Sequence, residues 1–223
     1  MIIGVPKEIK LQEHRIGLTP ESVKALTDKK HEVLVEENGG FEAGFTNENY
    51  LAAGAKIIKT PEEIFKAADL IVKVKEPQMN EVKMIRENQI IYTYFHLAAA
   101  KELTLGLMES KSICIAYETV TDDNGRLPLL APMSAVAGRM SIQAGAHALE
   151  KNQKGRGLLI GGAPGVDSAN VVILGGGVVG ENAAIIATGM RGKVYVVDKS
   201  QKRLEELLLS ISSELNGIEI EEN

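Results

Sequence analysis

Val171-Val172-Ile173-Leu174-Gly175-Gly176-Gly177-Val178-Val179-Gly180 is the stretch whose reading decides the fold. Four apolar residues in a row suit a parallel strand covered on both faces. They run directly into G-x-G-x-x-G. In that pattern Gly175 permits the tight turn, Gly177 lets the backbone approach a pyrophosphate, and Gly180 lets a helix pack close to the strand. Asn182 to Met190 reads as that helix, its N-terminal amides and dipole facing the phosphates. Val194-Tyr195-Val196-Val197 reads as a second strand, and Asp198 ends it. A glycine turn alone is weak evidence, since such turns occur in many loops. Strand, turn, helix, second strand and an acid about 20 residues on together make a Rossmann-type βαβ unit. The bland alternative is an ordinary strand–helix turn, with Asp198 capping the next helix.

The acid also selects the ligand. Asp198 can accept hydrogen bonds from adenosine ribose hydroxyls, and its charge repels a 2′-phosphate, so NAD is expected over NADP. Gly175, Gly177, Val178, Val179, Gly180 and Asp198 are therefore candidate cofactor contacts. Arg203 either reaches the adenosine moiety or is a solvated surface arginine. The stripe Leu204, Leu207, Leu208, Ile211 and Leu215 on the helix from Gln201 reads as core packing against the sheet.

Upstream, Pro132 to Gln153 is rich in Ala and Met at helical spacing, a helix of about 22 residues and ~33 Å. A helix of that length between two α/β blocks reads as a link between domains, followed by a glycine-rich loop from Gly155 to Gly165. The preceding residues alternate strand-like and helical segments. Ile2–Val5, Glu32–Glu36, Lys56–Ile58, Leu70–Val74, Gln89–Phe95 and Ser112–Ala116 are short apolar or β-branched runs. Thr19-Pro20-Glu21 and Thr60-Pro61-Glu62-Glu63 are helix starts, with a capping hydroxyl before a proline at the first helical position. The expected class is α/β: a parallel-sheet substrate domain over residues 1–131, then a linking helix and the first part of a Rossmann dinucleotide-binding domain over 132–223.

Composition excludes several alternatives. Of 223 residues, 44% are hydrophobic and 25% charged, enough for a real core. A net charge of −5 argues against nucleic acid or an anionic membrane as partner. The single cysteine, Cys114, rules out a disulfide framework and a cysteine metal site. Its apolar neighbours Ile113 and Ile115 suggest a buried, inert thiol. The N-terminal apolar run is too short for a signal peptide, and no uncharged stretch reaches the about 20 residues that span a bilayer, so a soluble cytoplasmic protein is expected.

Three polar residues stand at strand ends, where open α/β sheets place ligand-binding groups. Arg15 follows the first strand in a loop, and a guanidinium there can grip a carboxylate in a bidentate fork. Lys75 ends the run Leu70–Val74 with Pro77 just after it, and His96 ends Gln89–Phe95. Taken singly, each is as readily a surface cation or a packed histidine.

Longer stretches carry a resemblance. They are Met1-Ile-Ile-Gly-Val-Pro-Lys-Glu8, Glu13-His-Arg-Ile-Gly-Leu-Thr-Pro20, Val72-Lys-Val-Lys-Glu-Pro77, Thr93-Tyr-Phe-His-Leu-Ala98, Leu130-Ala-Pro-Met-Ser-Ala-Val-Ala-Gly138 and Val172 to Gly180. In this order they resemble the alanine dehydrogenase family, whose fold is shared by the NAD-binding subunit of proton-translocating transhydrogenase. The resemblance implies reversible oxidative deamination: L-alanine, NAD and water give pyruvate, ammonium and NADH. It implies that Arg15 and Lys75 bind the substrate carboxylate, with Lys75 also near the reacting oxygen. His96 would be catalytic, hydrogen-bonding the carbonyl or carbinolamine oxygen and exchanging a proton with it. Ser134 resembles the family's hydroxyl contact to the cofactor, and it doubles as a candidate N-cap of the long helix. Met133 would be apolar wall, Tyr94 and Glu118 structural. The nicotinamide would stack near His96, and the assembly would be a homo-oligomer, a hexamer by resemblance.

The resemblance also departs. Gly165 to Asn170 lacks the family's proline near Ser168. After Glu221-Glu222-Asn223 no position matches the family's catalytic aspartate, so an incomplete enzyme is expected, with little or no alanine-dependent NADH production. A non-catalytic nucleotide-binding remnant and a transhydrogenase subunit are the alternatives. Lys75 and His96 at matching strand ends favour the dehydrogenase.

Overall fold

The computed structural model describes residues 1–214. The chain divides into two compact units, Met1–Val120 and Thr121–Asn223.

The first unit is built on six parallel strands, β1 (Ile2–Val5), β2 (Glu32–Glu36), β3 (Lys56–Ile58), β4 (Leu70–Val72), β5 (Ile90–Thr93) and β6 (Ile113–Ala116). They lie at the six segments expected from sequence, with β4, β5 and β6 shorter than their expected runs. Helices α1 (Pro20–Asp28), α2 (Asn47–Ala52), α3 (Pro61–Ala67), α4 (Met79–Val82) and α5 (Lys101–Ser110) connect them. Thr19 and Thr60 cap α1 and α3 as their spacing predicts, accepting from the backbone N–H of Ser22 at 3.3 Å and of Glu63 at 3.4 Å. The sheet order is β3-β2-β1-β4-β5-β6. The chain therefore builds outward from β1 on one side, then crosses back and builds from β4 on the other. A reversal of this kind opens a crevice beyond the carboxyl ends of the two strands that flank it, here β1 and β4.

Side chains alternate along the strands into two cores. Leu34, Ile71 and Ile91 join Ile64, Phe65, Leu103 and Leu107 in one cluster. Val33, Val35, Val72, Ile3 and Val5 join Val23 and Tyr50 in the other. Both faces of the sheet are thus covered, as a parallel sheet requires. The edge strand is an exception. Among the described residues β6 pairs only with β5, and Ile113, Cys114 and Ile115 are exposed. The buried thiol expected from sequence is corrected: apolar neighbours on an edge strand do not bury it.

The second unit holds α6 (Ala131–Ala148), β7 (Asn170–Leu174), α7 (Val178–Gly189), β8 (Lys193–Val197) and α8 (Gln201–Glu214). α6 ends before the sequence pattern does. Glu150 is extended, a separate short turn covers Lys151–Gln153, and the N–H groups of Gly155 and Gly157 bond back to Glu150 and Leu149 carbonyls. β7 and β8 pair in parallel, Ile173 beside Val196. Ile142, Ile173, Ala184, Leu207 and Ile211 form the core of this unit. Leu204 packs at its margin, and Leu215 of the expected stripe lies outside the described residues. The expectation that β7 is covered on both faces is corrected. Val172, Leu174, Tyr195 and Val197 are exposed, because the helices of the described residues pack on the opposite face. No helix among the described residues is long and apolar enough to cross a membrane.

Candidate active site

In the first unit, Arg15 follows β1, Lys75 follows β4 and His96 follows β5. These three strands are consecutive in the sheet, so the three side chains issue from the same end, with Arg15 and Lys75 flanking the reversal. The loop after β1 is seated on the strand beside it. A Cβ at Gly17 would collide with the Val72 carbonyl and crowd the Lys73 nitrogen, so glycine permits the Arg15 loop to press against the exit of β4.

A glutamate holds each of the three positions. Glu13 clasps Arg15, its two oxygens accepting from Nε at 2.8 Å and Nη2 at 2.6 Å. This hydrogen-bonded cation holds the Glu13 carboxyl far below the ordinary range, at about 2. Glu8 Oε1 accepts from the backbone N–H of Val74 at 2.6 Å and of Lys75 at 3.4 Å. Glu118 accepts from the N–H of Phe95 at 3.0 Å and of His96 at 2.8 Å. His96 adopts a left-handed backbone, φ 52° and ψ 37°, and its exposed ring stacks beside Tyr94 with centroids 6.3 Å apart.

Behind Lys75 lies a charge cluster that reading the strand ends missed. Lys73 is fully buried, its Nζ 3.1 Å from Glu8 Oε2 and 2.8 Å from Glu81 Oε1. Burial pushes the Glu8 carboxyl above its usual value, against the pull of Lys73 and the N–H groups. The signal was present in the sequence. A lysine inside the apolar run Leu70–Val74 demands a buried counter-charge. Glu8 gave no comparable signal, because it acts through a contact 66 residues away, and the structural role expected of Glu118 takes its form from a contact 22 residues away.

In the second unit, a groove of about 480 Å³ is lined by Ser134, Gly175, Gly177, Val178, Val179 and Gly180, six of the expected cofactor contacts. Ser134 lies within the first turn of α6, its N–H bonded to Leu130, which itself occupies the N-cap position. Its reading as N-cap is therefore corrected. The helix after the turn begins at Val178, earlier than its expected start at Asn182, with Gly177 as N-cap. The amides of Val178 and Val179 are consequently among the orphan donors of the first turn. Asp198 and Arg203 reach the turn at Gly176. Asp198 Oδ2 accepts from the Gly176 N–H at 2.7 Å and Oδ1 from that of Ser200 at 2.9 Å, and these bonds hold its carboxyl below the ordinary range. Arg203 Nε donates to the Gly176 carbonyl at 2.6 Å, and Nη2 meets Glu181 at 2.7 Å. Arg203 is a brace for the turn.

The glycines test the fit of a dinucleotide. A Cβ at Gly180 would collide with the Gly175 carbonyl, so Gly180 serves helix packing. Gly177 is different. Its φ of −67° suits any residue, and a Cβ there would meet no protein atom within 4 Å. No described residue requires glycine at 177, whereas a pyrophosphate lying against the turn would.

Comparison with known proteins gives these elements a lineage. Residues 4–137 match the model of the alanine dehydrogenase/PNT N-terminal domain, and residues 141–222 that of the C-terminal domain. An alanine dehydrogenase of Halomonas elongata is 52% identical over 93% of this chain, and one of Methanococcus maripaludis 51% over the same share. The chain spans 56% of the length of each. A solved L-alanine dehydrogenase superposes with a TM-score of 0.86 at 46% identity, over 97% of this chain and 58% of the other. A transhydrogenase from Sinorhizobium meliloti, 22% identical, shares the fold with a TM-score of 0.76 over 95% of this chain and 60% of that one. With both domain models matched in order and the strand-end residues in place, the chain belongs to the alanine dehydrogenase/PNT family.

Proposed function

We propose that this chain carries the substrate-binding part and the pyrophosphate- and ribose-binding part of an NAD-dependent alanine dehydrogenase. The reaction is the reversible conversion of L-alanine, NAD and water into pyruvate, ammonium, NADH and a proton. The observation that carries this reading is the placement of Arg15 and Lys75 at the carboxyl ends of the strands flanking the sheet reversal, with His96 on the next strand.

The Lys75 ammonium makes no hydrogen bond or ion pair among the described residues, and it lies close enough to Glu13 to favour that carboxylate. It is a cation set to meet a small carboxylate. Glu13 accepts from Nε and Nη2 of Arg15 and so fixes the plane of the guanidinium that the substrate carboxylate meets. The His96 imidazole hydrogen-bonds the substrate oxygen at C2 and exchanges a proton with it as the carbinolamine forms or collapses. In the other unit, the amides of Val178 and Val179 and the open face of Gly177 receive the pyrophosphate. Asp198 receives the ribose hydroxyls, and Ser134 hydrogen-bonds the cofactor. When bound, NAD would supply the oxidising power, accepting a hydride (one proton with two electrons) from the substrate Cα.

Calorimetric titration of the purified chain tests the cofactor half. NAD is expected to bind at least about tenfold tighter than NADP, since a like-charge contact costs several kcal/mol, and Asp198→Ser should narrow that gap. Equal affinity for both in the unmodified chain would sink the reading of Asp198. Pyruvate supplied to the same chain should perturb Lys75. A transhydrogenase-type subunit would bind the dinucleotide and ignore pyruvate.

A further inference from the structure

The buried cluster around Lys73 is the largest investment in charge in this unit that the reaction itself does not use. Its three members come from three segments: Glu8 from just after β1, Lys73 from just after β4, and Glu81 from α4. Each side chain is within 2% of full burial. A lone salt bridge in such a place is poor evidence for stability, because desolvation costs as much as attraction returns. The arrangement therefore invites a reason beyond stability, and the remaining oxygens show one. Glu81 spends its second oxygen on the Gln78 N–H at 2.7 Å, within its own turn. Glu8 spends Oε1 on Val74 and Lys75, the two residues that carry the chain off the sheet toward the substrate cation. Lys73 Nζ, in turn, fixes the other oxygen of Glu8, so the carboxylate cannot rotate away from those N–H groups.

We propose that Glu8 is a positioning residue for substrate binding: anchored by buried Lys73, it clamps the Val74 and Lys75 amides and thereby aims the Lys75 ammonium at the substrate carboxylate. The inference rests on the reading of Lys75 as a substrate-carboxylate contact. Gly17, seated on the same Val72–Lys73 backbone, ties the Arg15 loop to the clamped strand exit. One rigid piece of backbone thus carries both cations, and the ordering cost of gripping a small anion is met during folding.

The test uses the full chain with its lysine amino groups reductively 13C-methylated, the Lys75 signal being assigned by its loss in Lys75→Arg. Pyruvate is titrated, and the shift of that signal gives an apparent Kd. Glu8→Gln puts an amide N–H group against the Lys73 ammonium, so the side chain turns and the clamp is lost. Glu8→Asp keeps the charge beside Lys73 and, one methylene shorter, withdraws from the Val74 N–H. It serves also if the glutamine variant does not fold. Both are expected to raise the Kd about tenfold, a loss of about 1.4 kcal/mol. Val33→Ala, a core truncation on β2, lowers the melting temperature without touching the clamp, and its Kd should stay within about twofold of the parent. Folded Glu8 variants that bind pyruvate as the parent does would overturn the inference and leave the reading of Lys75 standing. A Lys75 signal indifferent to pyruvate in the unmodified chain would overturn that reading and the inference with it.

Discussion

Glu118, in the turn directly after β6, accepts a 2.8 Å hydrogen bond from the backbone N–H of His96, and that histidine sits in the left-handed region at φ 52°. A non-glycine residue there costs about 1–2 kcal/mol, and the carboxylate is what keeps the backbone turned. The strain places the imidazole beside Tyr94 instead of along the strand.

His96→Gly should therefore fold at least as stably as the parent, by up to about 1 kcal/mol, while losing the group that exchanges the proton. His96→Ala keeps the strain and gains nothing. Glu118→Ala should cost about 1–2 kcal/mol by stranding two N–H groups. Urea denaturation of the three variants measures this order, and a His96→Gly protein less stable than His96→Ala would contradict it.

Gly177 and Gly180 should separate binding from folding. Gly177→Ala meets no protein atom and should change stability by no more than about 1 kcal/mol, yet weaken NAD about tenfold or more by obstructing the pyrophosphate. Gly180→Ala drives a Cβ into the Gly175 carbonyl and should cost about 3 kcal/mol or more. Melting curves and NAD titrations on the same samples distinguish the two.

The Glu13–Arg15 pair sets a dependence on acid. The Glu13 carboxyl, at about 2 in the fold against an ordinary 4.5, is depressed, so its stabilisation is complete above the ordinary value and is lost as pH falls through the folded one. The melting temperature of the parent should exceed that of Glu13→Gln by a constant margin above about pH 5 and by a shrinking one below about pH 4. A margin independent of pH would refute the pair as drawn.

Lys73→Met should be among the most damaging single changes. It leaves the Glu8 and Glu81 carboxylates buried without their cation, at a cost of about 3–5 kcal/mol near neutrality. Carboxyl groups so stranded have raised folded pKa values. The variant is then least stable where they must ionise, and its deficit should narrow as pH falls from about 7 to about 5. Chemical denaturation at the two pH values reads this directly.

Much of the architecture was legible along the chain. Apolar runs of strand length, separated by Thr-Pro-Glu helix starts, located all six strands of the first unit, and the glycine pattern located the turn between β7 and α7. These features are local: side-chain alternation, capping and backbone freedom are properties of a few neighbouring residues. The same locality explains the misreadings. Ile113 and Ile115 flank Cys114 as core residues would, and only the sheet order reveals that they lie on an open edge. Val172 and Leu174 read as covered on both faces, and only the packing leaves one face bare.

By itself, then, the sequence determined that a dinucleotide turn follows a parallel α/β block, and that two cations and a histidine follow three of its strands. Tertiary structure alone decided that β1 and β4 are neighbours, which sets Arg15 and Lys75 on either side of the reversal. It also decided that Glu8 holds the Lys75 exit and Glu118 the His96 turn. These two contacts join residues 66 and 22 positions apart in the chain, and no periodicity in a linear pattern encodes such a distance. Only the pairing of β1 with β4 and of β5 with β6 brings the carboxylates within hydrogen-bond reach of those amides.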